Sequence, residues 1–149
     1  MEEQFSIRGH VLVELRGPDG ELKQREETGN LVVTVGKNQI TDRMIGTATA
    51  VPSHMAVGTG AVAPAAGDTT LGAEIATTGR QALTSNTRST NVETLVGNWA
   101  AGQATNAAIT EAGIFNAASA GTMTARATFT AINKGASDTL AITWAITFG

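Results

Sequence analysis

Residues Thr139–Phe148 read Thr-Leu-Ala-Ile-Thr-Trp-Ala-Ile-Thr-Phe. Every second residue, Leu140, Ile142, Trp144, Ile146 and Phe148, is large and apolar. Those between, Thr139, Ala141, Thr143, Ala145 and Thr147, are small or hydroxylated. Side chains of a strand alternate between its two faces, whereas a helix gathers residues three and four apart. The spacing therefore predicts a strand with one bulky face, and excludes a helix. Each large side chain contributes roughly 1.5–3 kcal/mol on burial, before conformational entropy is counted. Such a strand belongs in the middle of a sheet core, with other strands presenting matching faces to it.

The rest of the chain supplies those strands. Phe5, Ile7, Gly9, Val11, Val13 and Leu15 alternate with Ser6, Arg8, His10, Leu12 and Glu14. Gly17-Pro18-Asp19-Gly20 forms a turn, because Pro presets φ and Gly accepts positive φ. Glu21–Glu27 pairs back as an exposed edge strand whose charges guard it against stray pairing. Leu31–Val35 is a short β-branched strand. Gly36–Ile45 changes period, with Ile40, Met44 and Ile45 on one side, and predicts a short amphipathic helix. His54–Gly58 reads as a short buried strand. Thr59–Thr70 is a loop of Gly, Ala, Pro and Thr, followed by a helical turn over Thr70–Ala76 that holds Leu71 and Ile75 to the body. Gly79–Thr90 and Asn91–Val96 are extended, and Asn98–Asn106 is a loop carrying Trp99. Ala107–Phe115 is a strand with Ile109 in phase with Phe115. Thr122–Phe129 alternates, with Met123, Ala125, Ala127 and Phe129 on one side.

About eight strands, one short helix and turn signals every eight to twelve residues predict an all-β fold, a jelly-roll-type β-sandwich. The 149 residues suit a single domain. Within it, residues 1–30 read as a charged N-terminal hairpin or arm and 31–149 as the core.

Charge is unevenly placed. Residues 1–46 hold eight acids and six bases, whereas the remaining 103 hold five acids and four bases. That later part is rich in Thr, Ala, Gly and Asn. Charge depletion of this kind marks the cores of interfaces, so contact with other subunits or a partner is expected. The net charge of −3 gives no electrostatic footprint for nucleic acid. Cysteine is absent, which removes disulfides and thiolate metal sites. The acidic start, Met1-Glu2-Glu3-Gln4, lacks the apolar run of a signal peptide, and no stretch has the length of a membrane helix. A soluble product of the cytoplasm is expected.

Few residues carry the marks of chemistry. His10 and His54 are far apart in sequence and have no metal-ligand spacing around them. No G-x-S-x-G elbow is present. Gly58-Thr59-Gly60 fails both glycine-rich phosphate templates and reads as a turn. Glu74 and Glu111 are the one candidate carboxylate pair for glycoside hydrolysis, but the chain has few aromatic residues for a sugar surface. No cofactor and no enzymatic activity are expected. Arg80, Arg88 and Arg126 are the only arginines after Arg43, and in so neutral a region they are candidates to meet acidic groups on another chain. Trp99 is a candidate anchor for a partner, or else a lid on one end of the core.

A resemblance emerges from three runs: Met55-Ala56-Val57-Gly58-Thr59-Gly60, then Ala63-Pro64-Ala65-Ala66, then Asp68-Thr69-Thr70-Leu71-Gly72-Ala73-Glu74-Ile75. With the later Ile109-Thr110-Glu111-Ala112-Gly113-Ile114-Phe115, they resemble a pattern of small structural proteins of tailed bacteriophages. The resemblance spans about residues 30–149 and is closest to capsid decoration, or cement, proteins. It implies a jelly-roll-type sandwich that forms homo-oligomers, sits on the outer capsid surface of the virion and braces neighbouring major capsid protein subunits. It implies no enzyme; from the weak net charge and the lack of a membrane-length apolar run, no nucleic-acid partner and no membrane partner are expected. A tail-tip or tail-fibre component contacting the host surface is the alternative within the same group.

Overall fold

A computed structural model describes all residues, Met1–Gly149. The predicted C-terminal strand is present over the expected residues. It is β10 (Thr139–Phe148), the middle of a five-stranded antiparallel sheet. On one side it pairs along its whole length with β1 (Ile7–Arg16), from Ile7 opposite Phe148 to Arg16 opposite Thr139. On the other it pairs with β7 (Val92–Trp99), which in turn pairs with β6 (Ser85–Ser89). β2 (Leu22–Gly29) closes the β1 edge, so the charged N-terminal hairpin is part of the sheet. Leu140, Ile142, Trp144 and Ile146 are buried, as the alternation requires, and only Phe148 at the end is part-exposed.

The second sheet has the order β3 (Leu31–Val32), β9 (Met123–Lys134), β8 (Asn106–Phe115), β4 (His54–Gly58) and β5 (Arg80–Ala82). Its inner face sets Met55, Val57, Ile109, Ile114, Ala125, Ala127 and Ile132 against Val11, Val13, Leu95, Trp99 and the β10 row. The two sheets form an all-β sandwich. The pairs β1–β10, β3–β9, β4–β8 and β6–β7 nest inside one another along the chain. They make a folded-over antiparallel ribbon, with β1–β10 and β6–β7 in the first sheet, β3–β9 and β4–β8 in the second, and β8 and β9 adjacent.

The outer face of the second sheet is covered as well. Helix α1 (Thr34–Met44) and the loop of residues 59–79 lie over it, and Val33, Ala56, Leu71, Phe115 and Met123 form a second apolar cluster there. Met123, Thr124, Ala125, Arg126 and Ala127 are consequently buried in succession, and the expected alternation of one dry and one wet face fails in β9.

Other expectations need correction. There are ten strands, because the expected Gly79–Thr90 segment is cut at Leu83-Thr84 into β5 and β6, which lie in different sheets. Thr70–Ala76 is irregular and contains no helical turn, although Leu71 is still buried and Ile75 still packs on the core. Ile109 and Phe115 are not in phase: register shifts between Ile109 and Glu111, and between Ile114 and Phe115, put Ile109 in the main core and Phe115 on the other side. Helix α1 buries Gly36 and Gln39, while Met44 and Ile45 are exposed. Trp99 belongs to β7 and not to a loop.

Candidate functional site

The covered face of the second sheet holds most of the scarce charge of the later chain. Glu111 on β8 is completely buried. Its Oε1 accepts backbone N–H bonds from Gly60 at 2.9 Å and Ala73 at 2.7 Å, and its Oε2 accepts one from Gly72 at 2.9 Å. Arg126 on β9 donates to the same Oε2 from Nε at 2.9 Å and from Nη2 at 2.8 Å. Arg126 also donates to Asp68 Oδ2 at 2.9 Å and to the Val62 carbonyl at 3.0 Å. Asp68 in turn accepts the Ala65 N–H. Two side chains of neighbouring strands thus hold the loop of residues 59–73 at four backbone positions, and through Asp68 as well. Gly60 must lack a side chain, because a Cβ there would lie 2.5 Å from Glu111 Oε1.

The electrostatics follow from those bonds. Burial pushes the Glu111 carboxyl up, but the bonds from Ala73, Gly72, Arg126 and Gly60 outweigh it and hold the group below the ordinary carboxylate range. Asp68 is held low by its backbone bond from Ala65 and by Arg126, against the opposing effect of burial. A glycosidase acid needs a raised pKa. Glu111 has the opposite, and Glu74 is bound by Arg80, whose Nε and Nη2 each donate to it at 2.8 Å. The candidate carboxylate pair is therefore two separate ion pairs.

Arg80 and Arg126 are candidates for a partner surface, and Trp99 for a partner anchor or a lid on the core; the structure turns all three inward. The Arg80 guanidinium lies 3.7 Å over the Phe115 ring and donates to the carbonyls of Ala117 and Ala120. Trp99 is fully buried, and its Nε1 donates to the Gly79 carbonyl at 3.0 Å, so it closes one end of the core. Only Arg88, on β6, is exposed. His10 lies 3.8 Å from Glu27 on the surface, and His54 bonds to Ser53 Oγ. No three His, Asp or Glu side chains come together in metal-ligating geometry. No helix is long and apolar enough to cross a membrane.

Sequence reasoning missed the structural role of Asp68 and Glu111. The signal was their rarity: in a nearly neutral stretch each buried charge needs a partner, and four of the five acids there find one. Asp138, the last of these, accepts from Lys23 Nζ at 2.8 Å and ties β2 to the β9–β10 turn. Beside it, Lys134 is buried, with Nζ donating to the carbonyls of Ala100 and Asp138. Burial lowers the Lys134 pKa, opposed by Asp138.

Two features remain open to a partner. β6 is the last strand of its sheet, pairs only with β7, and exposes all five of its residues. A groove of about 420 Å3 runs beside it, lined by Asn86, Arg88, Glu93, Val51, Pro52 and Phe148 among others. Comparison with known protein families, curated proteins and solved structures gave no significant match.

Proposed function

We propose that this chain is a structural virion protein of a tailed bacteriophage, a capsid decoration protein that binds the outer surface of the head and braces neighbouring major capsid protein subunits. The observation that carries the reading is the convergence of the residues behind the resemblance. Gly60, Asp68, Gly72 and Ala73 from the first runs, and Glu111 from the later one, meet in a single buried staple. Glu74 and Phe115, from the same runs, meet at Arg80. The resemblance therefore rests on contacts that build the sandwich, as expected for a shared fold. The hydroxyl-rich strand β6, with a single charge, supports the reading too, since a weakly guarded edge accepts another strand through main-chain hydrogen bonds. Bracing a shell needs only modest affinity per copy, because many copies act together.

The test is co-sedimentation of the purified protein with heads assembled without it. Saturable binding at a fixed ratio to capsid subunits, and heads that then survive heating or osmotic shock better, are expected. Failure to bind heads, with free protein instead blocking adsorption of phage to cells, would move the assignment to the tail.

A further inference from the structure

The hydrogen-bond parity of the first sheet determines what β6 offers to its surroundings. Phe148 donates its N–H to the Asn91 carbonyl at 3.0 Å, in register with the β10–β7 ladder. Hydrogen-bonded and non-hydrogen-bonded pairs alternate in an antiparallel ladder. The odd residues of β7 therefore face β10, and Val92, Thr94 and Val96 turn their backbone groups to β6. The Thr84 N–H donating to the Val96 carbonyl at 2.8 Å agrees with this. Ser89, Thr87 and Ser85 lie opposite those three residues and engage β7. The N–H and C=O groups of Asn86 and Arg88 accordingly point outward, with no strand beyond them.

The other edges are closed to such addition. β2 carries Lys23, Arg25, Glu26 and Glu27 along its length. β3 has two residues and β5 three. β6 alone is five residues long with one charge, and its sequence, Ser-Asn-Thr-Arg-Ser, complements itself. Laid antiparallel to a copy of itself about Thr87, it sets Thr87 opposite Thr87, Ser85 opposite Ser89 and Asn86 opposite Arg88. The outward groups of Asn86 and Arg88 then form the hydrogen-bonded pairs. No like charges face each other, and Thr and Ser pair across the strands, which is favourable.

We propose that β6 is the site at which a second copy of this chain adds, strand against antiparallel strand about a two-fold axis at Thr87, joining two five-stranded sheets into one of ten. The side chains of Asn86 and Arg88 from the added copy lie beside the groove that runs along β6. This rests on the homo-oligomer part of the function proposed above and not on its capsid part. Self-association in solution and binding to heads are read separately, so either can fail without the other.

The experiment is sedimentation of the intact chain over a range of concentrations, with variants chosen by parity. The native chain should show a reversible monomer–dimer equilibrium. Of the backbone groups, Arg88→Pro and Asn86→Pro each remove only an outward N–H, and Pro is tolerated there on an edge strand; Arg88→Pro also gives up the exposed side-chain bond to the Thr90 carbonyl, which Asn86→Pro leaves in place. Each should weaken the dimer by about tenfold or more, through the two hydrogen bonds lost per dimer, while leaving the melting temperature near the parent's. Thr87→Pro removes an N–H that β7 uses, and should lower the melting temperature. Because the chain has no cysteine, Thr87→Cys gives a second readout independent of proline effects. Directly opposite, non-hydrogen-bonded residues approach to about 4.5 Å between Cα atoms, within disulfide reach. Thr87→Cys should therefore cross-link to itself on mild oxidation, and Ser85→Cys should cross-link only when mixed with Ser89→Cys. A native chain that stays monomeric up to millimolar concentration would overturn the proposal. So would Ser85→Cys cross-linking to itself as fast as Thr87→Cys. A monomer whose head binding vanished in Arg88→Pro would assign the edge to a strand of another protein and overturn it too.

Discussion

Arg126 Nη2 and Glu111 Oε2 lie 2.8 Å apart between adjacent strands, both buried, and the carboxylate they share carries three loop N–H bonds as well. Removing one partner of a buried ion pair leaves an uncompensated charge, which costs about 3–5 kcal/mol. Glu111→Gln keeps the shape but gives up the charge and one acceptor oxygen, and Arg126→Met strands Glu111. Both should destabilise the domain by amounts in that range, measured by urea unfolding. They should also speed amide exchange and proteolysis within residues 59–76 first, since that loop is what the pair holds.

The same groups set the response to acid. Asp68, Glu111 and Asp138 all have folded pKa values below their ordinary range; for Asp138 the Lys23 bond is the leading cause. A carboxyl with a depressed folded pKa contributes stability that is complete above its unfolded pKa and is lost as pH falls through the folded value. Stability should be flat from neutral pH down to the ordinary carboxylate range and fall steeply below it. In Glu111→Gln the acid slope should be shallower. Thermal melts across pH 2–7 check this.

The two tryptophans separate packing from hydrogen bonding. Trp144 and Trp99 are both fully buried, but Trp99 Nε1 has the Gly79 carbonyl as partner and Trp144 Nε1 has none. Trp144→Ala should cost about 3–5 kcal/mol through the cavity it leaves. Trp144→Phe deletes an unpaired buried donor along with some apolar contact, so its cost is partly offset. Trp99→Phe loses a made bond, and should be about 1 kcal/mol worse than Trp144→Phe. Equal losses in the two Phe variants, by chemical denaturation, would show that the indole N–H of Trp144 is satisfied in solution.

The contrast between β10 and β9 explains how much the sequence reveals. β10 has one neighbour layer, so burial follows the pleat and Leu140, Ile142, Trp144 and Ile146 announce the strand by spacing alone. β9 lies between the main core and the cover made by α1 and the loop, so Thr124 and Arg126 are as buried as Ala125 and Ala127. Alternation cannot report a second covering layer when the residues beneath it are polar and paired. The same layer hid the roles of Arg80 and Arg126, whose acidic partners Glu74, Asp68 and Glu111 come from other segments. β6 was legible as extended and polar, but its place at a free edge depends on the break at Leu83-Thr84, which no residue pattern marks.

Gly36 provides a test of how the helix meets that layer. In an exposed helix interior, Gly→Ala is stabilising by about 1 kcal/mol, because alanine loses less backbone entropy on folding. At Gly36 an added Cβ would lie 2.1 Å from the Thr124 carbonyl oxygen, a backbone atom of β9. The close approach also lets Thr124 Oγ1 donate to Gln39 Oε1 at 2.8 Å, while Gln39 Nε2 holds the Ala50 carbonyl at 2.7 Å. Gly36→Ala should therefore reverse the usual sign and destabilise the domain, typically by 1–3 kcal/mol, as overpacking does. Lys37→Ala, on the exposed side of the same turn, should change stability by less than about 0.5 kcal/mol. Thermal melts of the two variants side by side decide it: a Gly36→Ala protein at least as stable as the parent would mean that α1 stands further from β9 in solution.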